Sequence, residues 1–375
     1  MRGIYLDNAA TTRARDSVLE VMREAESNLY YNSAAQYSGA LSVKKAIESA
    51  SREIHGRLTR TMSGTLVFTS GATESNNIVM FGKATNPRHH IIVLAGEHSS
   101  VYSPSVALRN NGFDVDYVPL LRDGAADLRS LGRLVRPTTS LVVFGMINSD
   151  TGVMQPVREI VDIIRRIAPK AHVHCDAVQA FCKFDFYAED LGVDSIAISA
   201  HKIYGPKGVG ALWLKKGARL HPIMYGGSQQ DYRPGTENNA SIIGFADAVK
   251  CFDTNASFSH VNALYKRLMD GLPSRCTLTI DGGKRTHTNN PYIANIMLSN
   301  VFGNTVMNAL SSMGIYVGLG SACATSAAKN RTLIAMGIPE DRTRNVLRVS
   351  FGIYNTLDEV DEFNRALGKV LDELA

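Results

Sequence analysis

Short β-branched and apolar runs alternate along the chain with stretches in which apolar positions recur every three or four residues. Thr65–Thr69, His90–Leu94, Ser140–Ile147, His172–Cys175, Ser195–Ser199 and Val209–Leu214 have the look of buried strands. Between two of them, Val157, Ile160, Val161, Ile164 and Ile167 fall on one helical face and Arg158, Asp162, Arg165 and Arg166 on the other. That periodicity predicts a crossover helix covering the sheet. Strands and helices in alternation mean an α/β fold with a mostly parallel sheet. After about Gly244 the pattern shifts to long helical segments, around Val261–Gly271 and from Leu357 to Ala375, with strand-like Ala294–Leu298 and Leu347–Phe351 between them. The chain is therefore expected to form a large domain over 13–245 and a smaller α/β domain from 1–12 and 246–375. The first dozen residues are expected to pack with the smaller domain or to lie across the junction.

Composition narrows the function classes. At 375 residues, 45% apolar and 20% charged, the chain resembles ordinary globular enzymes and can bury two cores. The formal charge of +5 is spread out rather than gathered into a stripe, so nucleic-acid binding is not implied. The opening Met1-Arg2-Gly3-Ile4-Tyr5-Leu6-Asp7 lacks the apolar stretch of a signal peptide, and the apolar runs are too short to span a bilayer. A cytoplasmic location without membrane contact is expected. Without a secretion signal, the glycosylation sequon Asn255-Ala256-Ser257 carries little weight. Five cysteines with no Cys-x-x-Cys do not form a disulfide framework, so an important cysteine would matter for its chemistry.

Candidate chemistry gathers where strands end, as expected of an open α/β sheet. Ser199-Ala200-His201-Lys202-Ile203-Tyr204-Gly205-Pro206 follows a strand, and a lysine fixed there can form a Schiff base with an aldehyde cofactor. Asp176 ends another strand, where a carboxylate can pair with a protonated pyridine nitrogen. Thr69-Ser70-Gly71-Ala72-Thr73-Glu74-Ser75-Asn76-Asn77 runs from strand into helix, a suitable seat for phosphate. Anion seat, lysine and aspartate together describe pyridoxal 5'-phosphate. On a strand His172, His174 and Asp176 share one face and Cys175 takes the other, which with Asp176 already committed argues against a metal site. The glycines of 204–210 do not form Gly-x-Gly-x-x-Gly, which disfavours a dinucleotide.

These motifs lie in order with Tyr5-Leu6-Asp7-Asn8-Ala9-Ala10-Thr11-Thr12, Glu97-His98, Thr151-Gly152, Gln155-Pro156, Gln179, Gly226-Gly227, Arg233, Gly235-Thr236, Gly320-Ser321-Ala322-Cys323 and Arg348. Over nearly its whole length the chain resembles cysteine desulfurases of the NifS/IscS type, in the class V aminotransferase group of pyridoxal-phosphate enzymes. The resemblance implies a fold of type I, with helices on both faces of the sheet, and conversion of L-cysteine to L-alanine with sulfur left as a persulfide on Cys323. It implies that Lys202 carries the cofactor, that His98 stacks on the ring and moves protons, and that Asp176 and Gln179 bond the ring. Ala72, Thr73, Ser199 and His201 would hold the phosphate. Thr236 would reach the phosphate of a partner subunit in a homodimer. Arg348 would take the substrate carboxylate through its planar fork, with Ser149 beside it. Cys323 sits in a stretch of small residues at about 318–330, expected to be mobile, and its sulfur would pass to an acceptor protein.

Four departures from the family pattern bear on substrate and partner. Asn148-Ser149-Asp150 stands for Asn-Asn-Glu, Asn32-Ser33-Ala34-Ala35 with Gln36 stands for Asn-Pro-Ser-Ser with histidine, and Gln230 replaces a glutamate. One helix follows Arg348, without the longer tail by which housekeeping members dock scaffold proteins. The alternatives are another class V reaction, such as selenocysteine lysis or transamination, or a pyridoxal-phosphate-binding partner protein without turnover.

Overall fold

The computed structural model describes residues 3–227, 229–280, 290–320 and 330–374. After strand β1 (Ile4–Tyr5) come two helices, Asp16–Asn28 and Ser38–Leu58, and then the seven strands of the main sheet. These are β2 (Thr65–Thr69), β3 (His90–Leu94), β4 (Asp114–Val118), β5 (Thr139–Gly145), β6 (His172–Asp176), β7 (Ser195–Ser199) and β8 (Gly210–Leu214). Their order across the sheet is β2-β8-β7-β6-β5-β3-β4. Only β8 runs against its neighbours, so the sheet is mostly parallel as the sequence pattern requires.

Alternation along each strand divides the apolar side chains between two helix layers. Phe68, Ile92, Leu94, Val142, Phe144, Val173 and Cys175 share a core with the helix Val157–Ile167 on one face. Val67, Ile91, Val93, Leu141 and Val143 share the other with the helices Ala72–Lys83 and Ser99–Asn110. The crossover helix buries Val157, Ile160, Val161 and Ile164 of its expected apolar face, and Ile167 at its end is half-buried. Its apolar stripe, at about 1.5–3 kcal/mol per fully buried side chain, outweighs the exposed Arg158–Asp162 pair at 3.4 Å, a contact type that contributes at most about 0.5 kcal/mol.

A second core surrounds an antiparallel sheet of β9 (Cys276–Leu278), β10 (Ile293–Leu298) and β12 (Val346–Ser350), in the order β12-β10-β9. The helices Thr254–Gly271 and Leu357–Glu373 cover it through Val261, Leu264, Leu268, Phe363 and Leu367. Strand β1 pairs in parallel with β11 (Ile315–Tyr316), and Leu6 and Ala9 belong to this second core. The next residues cross to the main sheet, where Thr12 N–H donates to His201 O at 2.9 Å and the Thr12 hydroxyl accepts from Tyr204 N–H at 2.8 Å. The N-terminal segment thus ties the two cores together above the strand ends.

The sequence reading needs correction at several points. A junction at 245/246 would fall inside the unbroken helix Asn239–Lys250, whose Ala246, Ala248 and Val249, with Phe252 just after it, are buried in the larger core. Strand β5 ends at Gly145 rather than Ile147, where the Glu97 carboxyl takes the Gly145 N–H at 2.8 Å. Edge strand β4 was not anticipated, because Asp114 and Asp116 interrupt its apolar pattern; Arg136 pairs with both at 2.6 Å. No helix among the described residues is long and apolar enough to cross a membrane.

Candidate active site

The carboxyl ends of β5, β6 and β7 open into a cavity of about 730 Å³. Asp176 is the last residue of β6 and pairs in register with Ala197 of β7, whose chain continues through a tight turn into Lys202. Adjacent strands therefore deliver both residues to one cavity. The Lys202 ammonium donates to Ala9 O at 2.5 Å and Ala10 O at 2.7 Å. Burial, reinforced by the charge of Arg348, lowers its pKa to about 8, which leaves a useful neutral fraction for attack on an aldehyde.

Asp176 accepts Asn76 Nδ2–H at 2.8 Å and Val178 N–H at 3.0 Å. His98 precedes the helix Ser99–Asn110 and caps it, its Nδ1 accepting Ser100 N–H at 3.2 Å. Burial lowers the His98 pKa below its ordinary value, partly opposed by the charge of Asp176, so the neutral ring is favoured. Gln179 donates to Ala9 O at 3.0 Å and accepts from the buried Lys183 ammonium at 3.2 Å. Burial brings the Lys183 pKa down to about 7.

The anion seat is open. Gly71, which precedes the helix Ala72–Lys83, has φ 151°, and a Cβ there would meet nothing nearer than Ser199 Oγ at 4.0 Å. A side chain at this position would therefore occupy the cavity bounded by Ala72, Thr73, Ser199 and His201. Among the described residues no side chain caps this helix, which leaves its positive end available to an anion. His201 bonds Thr11 Oγ1 at 3.1 Å, and burial depresses its pKa to about 3. An anion seat, a half-buried carboxylate and a lysine of lowered pKa fit the phosphate, ring nitrogen and aldehyde of pyridoxal phosphate.

Arg348 forms the facing wall. It donates to Asp7 Oδ1 at 2.7 Å and to the Ser149 carbonyl at 3.1 Å, and lies 3.8 Å from Asp150 Oδ1. Ser149 thus enters the site through its backbone as well as its position. The structure brings Lys202, His98, Asp176, Gln179, Ala72, Thr73, Ser199, His201, Ser149 and Arg348 to one cavity. Thr236 is exposed and does not line it. Cys323 and most of the loop around it lie outside the described residues, although Gly320 just before them lines the cavity. Among the described residues no cysteine does so: Cys175, Cys182 and Cys276 are buried, with thiol pKa values raised by burial, and Cys251 is exposed elsewhere. Sequence reasoning gave no role to Asp7, Asn76, Ser100 or Lys183. The first three sit in or beside quoted motifs, but only the tertiary contacts reveal what they hold.

The aminotransferase class-V family profile matches residues 4–363. A cysteine desulfurase IscS of Archaeoglobus fulgidus is 32% identical over 377 residues, covering 99% of this chain and 97% of that protein. Among solved structures, a NifS-like protein aligns with a TM-score of 0.91 at 31% identity, over 99% of this chain and 100% of its own. SspA in complex with cysteine aligns with a TM-score of 0.82 at 28% identity, over 94% of this chain and 100% of its own. With a matching profile, full-length relatives and the same architecture, the chain belongs to the aminotransferase class-V family of pyridoxal-phosphate enzymes, among its members of the NifS/IscS cysteine desulfurase type.

Proposed function

We propose that the chain converts L-cysteine to L-alanine and leaves the sulfur as a persulfide on Cys323, with pyridoxal phosphate held on Lys202. The observation that carries this reading is the meeting in one cavity of Lys202, Asp176 and His98 on one side with Arg348 on the other. Bound pyridoxal phosphate would supply an aldehyde for the lysine and an electron-accepting ring. Asp176 would face the ring nitrogen, Gln179 the ring hydroxyl, and Ala72, Thr73, Ser199 and His201 the phosphate.

Arg348 orients the substrate by its carboxylate, and the Lys202 amine takes the proton from the α-carbon. Sulfur transfer needs a thiolate, and the His98 N–H would stabilise the ionised Cys323 by a charge-assisted hydrogen bond. That thiolate attacks the substrate sulfur, so that an S–S bond forms as the C–S bond breaks. Protons return to carbon, and L-cysteine plus one thiol become L-alanine plus one persulfide without an outside oxidant. The persulfide then passes its sulfur to an acceptor. Thr236, exposed and away from this chain's own cavity, suits the expected contact with the phosphate of a second subunit. The smaller domain would comprise the N-terminal segment and the chain from the helix Thr254–Gly271 onward.

The test is brief exposure of the purified holoenzyme to L-cysteine, followed by alanine measurement and mass spectrometry of its peptides. Alanine should appear with one added sulfur on the Cys323 peptide, and Cys323→Ala should form neither. Sulfur on another cysteine, or wild-type alanine production by Cys323→Ala, would overturn the reading.

A further inference from the structure

Behind the cavity floor, a line of buried side chains runs from β6 and β7 to two groups of the active site. Ser195 Oγ lies 2.7 Å from His172 Nε2 and 2.7 Å from His174 Nδ1. His174 Nε2 is 2.9 Å from Asn76 Oδ1. From Asn76 Nδ2 the line divides, to Asp176 Oδ2 at 2.8 Å and to Ser100 Oγ at 2.9 Å, and Ser100 Oγ reaches His98 Nδ1 at 2.9 Å. His174, Asn76 and Ser195 are fully buried.

Donor and acceptor chemistry allows one direction along this line. An ionised carboxylate only accepts, so the Asn76 nitrogen must face Asp176 and its oxygen must face His174. The reverse would bury two acceptors against each other with no donor between them. His174 must then carry its proton on Nε2, which leaves Nδ1 to accept the Ser195 hydroxyl proton. Ser195 in turn accepts from His172 Nε2–H. On the other branch His98 Nδ1 accepts the Ser100 N–H at 3.2 Å, so the His98 proton sits on Nε2, and Ser100 Oγ, accepting from Asn76, turns its own proton to that same Nδ1.

We propose that His174 is a positioning residue that locks the Asn76 amide, and so holds Asp176 as an acceptor and, through Ser100, reinforces the Nε2–H tautomer that the helix cap gives His98. His172 and Ser195 set the tautomer of His174 itself. The register places His172 and His174 opposite Leu141 and Val143, so both rings face the layer containing Asn76. Burial holds both histidines neutral, with pKa values lowered to about 3, and the direction of the line survives across ordinary pH. The catalytic meaning of this arrangement rests on the function proposed above, but the tautomers belong to the chain alone.

Nitrogen NMR of ¹⁵N-histidine-labelled protein, with and without bound pyridoxal phosphate, reads them directly. His98, His172 and His174 should each show a protonated Nε2 and a bare Nδ1; a proton on Nδ1 of His98 or His174 overturns the proposal, whatever reaction the enzyme performs. His174→Gln keeps a donor near the Nε2 position, whereas His174→Leu keeps bulk and removes it. Leaving the buried Asn76 oxygen without its donor should lower kcat by about 10- to 100-fold in His174→Leu, with KM for L-cysteine unchanged and most of kcat restored in His174→Gln. Equal kcat in the two variants would reduce His174 to a packing role and reject the positioning one. A wild type with these tautomers that makes no alanine from cysteine would refute the desulfurase reading and leave the hydrogen-bond line standing.

Discussion

On the floor of the cavity Asp176 and His98 are held through uncharged, buried hydrogen-bonding groups, whereas on the facing wall Arg348 is held by ions, with Asp7 at 2.7 Å and Asp150 at 3.8 Å. The floor arises from neighbouring strand ends and the helices that begin beside them. The wall gathers positions 7, 150 and 348, which only the meeting of the two cores brings together. Directed hydrogen bonds between neutral groups define one orientation and resist exchange. A buried guanidinium already paired with carboxylates can exchange one for the carboxylate of a substrate, without leaving its charge uncompensated. On the function proposed above, the floor would hold ring and proton positions and the wall would let substrate come and go. Damage to the first should appear in kcat, and damage to the second in KM.

The largest effect should come from the floor. Lys202→Ala should lower alanine formation on the order of 10⁴-fold, the upper range for a lost proton-transfer group, because covalent attachment of the cofactor is lost with it. Borohydride treatment should then no longer fix the cofactor to the protein, while the Arg348 wall stays intact. Cofactor still trapped on the variant by borohydride would place the attachment elsewhere and dissolve the contrast between floor and wall.

How much of this was legible in the sequence depended on sequence separation. Asp176 and Lys202 could be read because each sits at a strand end in a short motif, and strand adjacency does the rest. The Asn76–His174 contact joins residues 98 apart and leaves no local trace. His172 and His174 looked like unused ligands beside Asp176; the register instead turns them to Ser195 and Asn76. Gln230, read as a departure from glutamate, accepts Phe68 N–H at 2.6 Å and donates to Phe68 O at 3.2 Å on edge strand β2. An amide serves both groups, and an ionised carboxylate could not donate. Strand β4 was missed because acidic alternation on a charged edge looks the same as a solvated loop until Arg136 is seen across it.

A smaller effect tests the wall. Arg348→Lys keeps the charge but loses the planar fork that serves Asp7 and the Ser149 carbonyl together. KM for L-cysteine should rise about 10- to 100-fold, the range for a lost charge-assisted hydrogen bond, with the cofactor spectrum and its borohydride trapping unchanged. Steady-state kinetics and absorbance on one preparation decide it. A fall in kcat at constant KM would make Arg348 part of the floor's function and erase the distinction.

The smallest effect concerns stability, where two sets of buried groups in and behind the floor should respond to pH in opposite directions. Burial pushes the Glu97 carboxyl up to about 8 from 4.5, although the Gly145 N–H bond favours its ionised form; the charge of Asp176 adds to the upward push. The folded chain thus binds this proton more tightly than the unfolded chain does. Its contribution to stability is complete below about 4.5 and is lost as pH rises through about 8. His172 and His174, lowered from 6.5 to about 3, have the reverse sign: their contribution is present above 6.5 and is lost as pH falls toward 3. Glu97→Gln removes the titration while its amide oxygen can still accept Gly145 N–H. Thermal unfolding midpoints of wild type and variant should therefore diverge as pH rises from neutrality to about 9, the wild type losing roughly 1–3 °C more. Between neutrality and about 4.5 the wild type should gain on the variant as pH falls, and only below about 4.5, where Glu97 is protonated folded or unfolded, should the two fall together, because both retain His172 and His174. If the midpoints run parallel through the alkaline range, Glu97 is already ionised at neutral pH, and the floor carries a charge in place of a neutral carboxyl.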